Sequence, residues 1–135
     1  MSTCIYRAET TKGNSQFVKD LGVAAANRGF QIHNEDKMAL AHTFGAHSVE
    51  VAEGFDLHMI QICKPQKAAK SLSVNPERAA LMPKFVITFS KDGKTQVRML
   101  KYGREMLTEL LDDQEFPNSM EETYMSIIAA IEEAL

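Results

Sequence analysis

Apolar positions along this chain recur in two rhythms, one of period two and one near 3.6, and the switches between them lay out the elements. The run from Cys4 to Thr11 carries β-branched and aromatic residues in partial alternation and predicts a strand, ended by Lys12-Gly13-Asn14. Phe17, Leu21, Ala24 and Ala25, with Val18 on the flank, form the one-sided stripe of a helix capped by Asn14 or Ser15. Gly29 supplies its left-handed stop, with Phe30 folding back as the hydrophobic contact, and a short strand from Phe30 to His33 follows. Asn34 is expected to cap a second helix with Glu35 and Asp36 in its first turn, Met38, Ala41 and Phe44 on its apolar side, and Gly45 at its end. Val49 to Cys63 is extended and interrupted near Glu53-Gly54, which predicts two strands.

The second half is better punctuated. Pro65 opens a helix to Leu72, since proline at the first helical position gives up only an N–H that has no partner there. Asn75-Pro76 begins a further turn through Met82, and Pro83 leads into Lys84 to Ser90. Asp92-Gly93 between that run and Thr95 to Leu100 is the strongest hairpin signal in the chain. Tyr102 to Leu111 reads as a helix, Asp112 to Pro117 as a break, and Asn118 or Ser119 as the cap of a last helix to Leu135, its stripe running through Tyr124, Ile127, Ile128 and Ile131. Interleaved helices with a hairpin and extended double runs define the α+β class, as one domain over residues 1–135.

Composition narrows the partners. The 135 residues are 44% hydrophobic and 24% charged, the balance of a chain that folds on its own core. With 15 basic against 18 acidic residues the formal charge is −3, so there is no basic field to hold nucleic acid or an anionic membrane. No apolar run approaches the roughly 20 residues of a membrane span, and the start of the chain has neither the basic nor the apolar region of an export signal. A cytoplasmic location is therefore expected, with Cys4 and Cys63 as reduced thiols.

The order Gly29-Phe30, Asp36 to Ala41, Ile62-Cys63-Lys64-Pro65, Asn75-Pro76, Met82-Pro83 and Asp92-Gly93 resembles the domain of unknown function family 302, small and mostly prokaryotic proteins, over roughly residues 4–134. Members commonly have Asp-His where this chain has Asp36-Lys37, Gly-Asn-Pro or Cys-Asn-Pro where it has Cys63-Lys64-Pro65, and Leu-Pro where it has Met82-Pro83. The resemblance implies a curved, mainly antiparallel sheet with helices packed on one face, similar in layout to the TATA-binding-protein fold, and a homodimer. It implies no activity, and a shared layout does not carry DNA binding with it.

Candidate chemistry centres on Cys63, at a strand end, beside Lys64 and just before the helix opened by Pro65. A helix N-terminus and a neighbouring cation both favour thiolate, which suits a nucleophile or sulfur carrier; the competing reading is a small buried apolar residue. Asp36 and Lys37 are either an acid–base pair or a solvated helix start. His33, His42, His47 and His58 lack metal-ligand spacing, and the odd separation of His58 and Cys63 points them to opposite faces of a regular strand, so neither metal nor cofactor is expected. The 8 methionines, Met59 and Met82 among them, suit adaptable apolar pockets and interfaces. The leading expectation is a non-catalytic homodimer that binds a small apolar ligand or a protein, with Asp36, Lys37, His58, Met59 and Met82 as candidate binding residues. The alternative is a thiol-dependent enzyme or sulfur carrier using Cys63 and Lys64.

Overall fold

Five strands pair antiparallel throughout in the order β1-β5-β4-β3-β2, as seen in a computed structural model that describes residues 2–135. The strands are β1 (Cys4–Thr10), β2 (Gln31–Ile32), β3 (His58–Cys63), β4 (Lys84–Lys91) and β5 (Lys94–Lys101). The helices are α1 (Asn14–Ala26), α2 (Leu40–Ala46), α3 (Pro65–Val74), α4 (Arg104–Leu110) and α5 (Phe116–Ala134), with a 3₁₀ helix at Pro76–Leu81 between α3 and β4. The linear strand order leaves the sheet open, in the α+β class.

Alternation decides which side chains face the core. On β4, Lys84, Val86 and Thr88 are buried while Phe85, Ile87 and Phe89 are half-buried. The register places Val86 beside Ile60 of β3, and Val97 and Met99 of β5 beside Ala8 and Tyr6 of β1. Over that face, α1 and α5 pack against each other and bury Phe17, Leu21, Met120, Tyr124, Ile127 and Ile131 in one continuous core. On the opposite face Ile5 and Leu100 stand as register partners, each 50% exposed.

Two punctuation signals act as expected. Asp92 (φ 56°) and Gly93 (φ 77°) make the two-residue β4–β5 turn, whose left-handed residues match the strand twist. Gly29 (φ 81°) ends α1 as the Phe30 N–H bonds back to the Ala25 carbonyl, and Phe30 is buried.

Four expectations are corrected. Asn14 does not cap α1: Gly13 holds that position, and Asn14 turns inward, accepting 2.6 Å from the Thr88 hydroxyl and donating 2.7 Å to the Asp56 carbonyl. The second helix begins at Leu40, because the Asn34 side chain bonds the Gln61 N–H and the Met59 carbonyl of β3 instead of a helix start. Asp36 and Lys37 therefore lie in an exposed turn. The stretch from Val49 forms one strand, not two, since residues 49–57 pass as a loop from α2 into β3. Finally, α5 starts at Phe116, and the Asp113 carboxylate, not Asn118 or Ser119, accepts the Glu115 and Phe116 N–H groups.

Candidate functional site

Where β3 ends and β4 begins, α3, the 3₁₀ helix and the first turns of α5 close around a cavity of about 200 Å³. Its apolar walls include Ile62, Leu72, Met82, Phe116 and Met120. Its polar groups include Cys63, Lys64, Lys67 and Lys84, while no Asp or Glu lines it. A cationic pocket thus sits in a chain of net charge −3. The size suits a ligand on the order of ten non-hydrogen atoms, since an apolar cavity of about 150 Å³ accepts benzene.

Each lysine is held differently. Lys64 lies over the Phe30 ring, 5.2 Å from its centroid, and passes so near Gly29 that a Cβ there would stand 3.2 Å from the Lys64 stem. Lys67 projects from α3 and donates to the Ser119 carbonyl (3.1 Å) and the Thr123 hydroxyl (2.9 Å) of α5; burial lowers its pKa. Lys84 is 8% exposed, donates 2.9 Å to the Met82 carbonyl and lies 5.8 Å from the Tyr124 ring centroid. Among the described residues no carboxylate forms an ion pair with it. Burial pulls its pKa down to about 8, against the opposite influence of Cys63.

The Cys63 thiol is half-buried, and burial raises its pKa. The cation that acts on it is Lys84, not its sequence neighbour Lys64, and that influence is the smaller of the two. The surroundings therefore favour thiol over thiolate at neutral pH.

The cavity wall is locked by a buried ion pair. Arg78 of the 3₁₀ helix donates to both Asp113 oxygens, at 2.6 and 2.9 Å, and the two side chains are 7% and 6% exposed. Asn75 and the start of α5 bring further hydrogen bonds to the same carboxylate, whose pKa falls far below the usual range chiefly through the Arg78 hydrogen bonds. Arg78 also reaches the Ser71 hydroxyl (3.0 Å) and lies over the Phe116 ring. Ser71 and Phe116 both line the cavity, so the pair fixes α3 against α5 around it.

Of the candidate residues, the fold gathers Cys63, Lys64 and Met82 here. His58 lies at the other end of β3, its Nδ1 2.8 Å from the Asp56 carbonyl and 3.5 Å from Asn14. Met59 follows on the opposite face, and Asp36 and Lys37 are exposed in their turn. Among the described residues no group of three or more His, Cys, Asp or Glu side chains converges to hold a metal ion, and no helix is long and apolar enough to cross a membrane. Sequence patterning does not mark Lys67 as a site residue; for Lys84 it carries a signal, because alternation places Lys84 on the face of Val86 and Thr88.

An open antiparallel sheet with a cavity between its helical layer and one strand end defines the structural class. The profile of the domain of unknown function DUF302 matches residues 6–134, and the chain belongs to that family. A crystal structure of an uncharacterized conserved DUF302 protein from Bacillus stearothermophilus is similar, with a TM-score of 0.79 at 14% identity over 97% of this chain and 98% of that one. At that identity the likeness is one of fold. No match was found among curated proteins.

Proposed function

We propose that the protein is a non-catalytic binding module whose cavity takes a small molecule with an apolar body and an anionic group. One observation carries the reading: three lysines and no carboxylate line an otherwise apolar, ligand-sized cavity. An anion entering it supplies the counter-charge that buried Lys84 lacks, and the apolar walls supply the hydrophobic driving force. The small apolar ligand of the sequence reading thereby acquires a charged end. Titration with hexanoate, hexanol and hexylamine, followed by amide chemical shifts around the cavity, tests this. Hexanoate should bind saturably and most tightly; equal binding of hexylamine, or no saturable shift with any of the three, overturns it.

The module is proposed to act as a homodimer, for which the half-exposed Ile5–Leu100 pair on the outer sheet face offers apolar surface. Native mass spectrometry at micromolar concentration checks this, and monomer alone counts against it. The thiol reading is less well supported, since burial holds the Cys63 pKa up. It requires rapid alkylation of Cys63 at pH 7, whereas the binding reading expects slow alkylation.

A further inference from the structure

Resting on the proposed anion-binding cavity, we infer that Lys84 is a carbonyl-capturing amine, and that the ligand class is a small aldehyde or ketone that also carries a carboxylate. The geometry is that of a lysine at the start of a strand, on its core-facing side, opposite Ile62 and enclosed between apolar walls and the Tyr124 ring. Among the described residues its hydrogen-bond acceptor is a neutral carbonyl, that of Met82, and no carboxylate lines the cavity to hold it as an ammonium ion. As a neutral amine it keeps one N–H on Met82 and leaves its lone pair for an electrophile. Lys64, in the same lining, is the cation left to receive the carboxylate, since Lys67 is held by Ser119 and Thr123 and lies 3.9 Å from the Glu122 carboxylate.

The step balances without an oxidant or reductant. The Nζ lone pair forms a bond to the carbonyl carbon, giving a carbinolamine. The carbonyl oxygen then leaves as water, taking with it both protons of the neutral amine, and a C=N bond remains. The reaction is reversible, so the result is covalent capture and release, consistent with a binding module. Lysines desolvated in apolar pockets are the ones that perform such chemistry near neutral pH. With a pKa of about 8, about half of Lys84 is neutral at pH 8, roughly a hundredfold more than for a solvated lysine.

The test uses the full chain, 4-formylbenzoate as probe and sodium borohydride to reduce the C=N bond, with intact mass and peptide mapping as readout. The expected product is one adduct, heavier by the mass of the probe less one oxygen, on Lys84. At pH 8 it should form roughly tenfold faster than any adduct on a surface lysine, and this preference should vanish when the wild-type chain is unfolded in urea. Lys84→Met should lose that adduct. Labelling spread over surface lysines without enrichment at Lys84, or equal yield in Lys84→Met, overturns the inference. The carbonyl-free analogue 4-methylbenzoate separates the two readings. If it binds and Lys84 is unlabelled by the probe, carbonyl capture fails and anion binding stands; if Lys84 is labelled and the analogue does not bind, the reverse holds; if neither occurs, both fail.

Discussion

Two buried cations belong to this cavity, Lys84 in its lining and Arg78 against the Ser71 and Phe116 that line it, and they are treated in opposite ways. Arg78 is met by a bidentate carboxylate, a serine hydroxyl and an aromatic ring, and its partner Asp113 takes three further hydrogen bonds. Lys84, equally buried, has a backbone carbonyl and a ring face. The first arrangement uses charge to hold α3 and α5 in place; the second leaves a charge without a carboxylate partner at the place where the proposed ligand would enter. Stability and the proposed binding thus fall to neighbouring groups of the same sign, distinguished by whether the protein itself supplies the counter-ion.

Breaking the satisfied side has the largest expected effect. Asp113→Ala strands the Arg78 guanidinium in the interior and should destabilise the fold by about 3–5 kcal/mol in urea denaturation, whereas the double replacement Arg78→Met with Asp113→Leu should recover most of that loss. Recovery tells a stranded charge from a general loss of packing. If the double variant is as unstable as the single one, the pair is not what sets the cost.

Lys84→Met should act in the other direction. The folded pKa of about 8 lies below the ordinary lysine value, so the folded state carries a penalty below pH 8 that fades as pH rises from about 8 towards 10.5. The variant should therefore be more stable than the wild type at pH 7, on the order of 2 kcal/mol, and the gap should close at alkaline pH. A variant less stable at pH 7 would show that Lys84 is compensated after all.

Acid reads the satisfied side again. The Asp113 pKa is depressed, so its contribution is complete above the ordinary carboxylate range and drains away as pH falls below it. Wild-type stability should decline below about pH 4, with a shallower decline in the double variant. The smallest effect is expected of Ser71→Ala, about 1 kcal/mol, because Arg78 keeps its carboxylate and the Ser71 carbonyl when the hydroxyl is lost.

The contrast between these regions also explains what could be read from sequence. The β4–β5 hairpin, α1 with its Gly29 stop, and the Pro65 start of α3 were legible because local chemistry alone specifies them. The start of α2 was not, since Asn34 has the side chain of a helix cap and spends its hydrogen bonds on a strand 25 to 27 residues away. Asp113 was hidden for the same reason: it falls in a segment that reads as a break, and its partner lies 35 residues earlier. Cys63, Lys64 and Met82 could be picked out by their place beside turns and strand ends, but only the folded arrangement puts Lys67 and Lys84 with them.

The strand order has a consequence for how the chain is made. β1 is synthesised first, yet its partner in the sheet is β5, some ninety residues later, and β5 must also join β4. Until residues 94–101 leave the ribosome, β1 has both edges unpaired and α1 lacks the α5 surface it packs against. The β1–β5 seam at one side of the sheet closes late in synthesis, so the nascent chain exposes its first strand to wrong pairing for most of its elongation. Ribosome-bound chains halted before Lys94 should be sensitive to protease within β1, and chains halted beyond the last residue of α5, with the tunnel cleared, should be resistant.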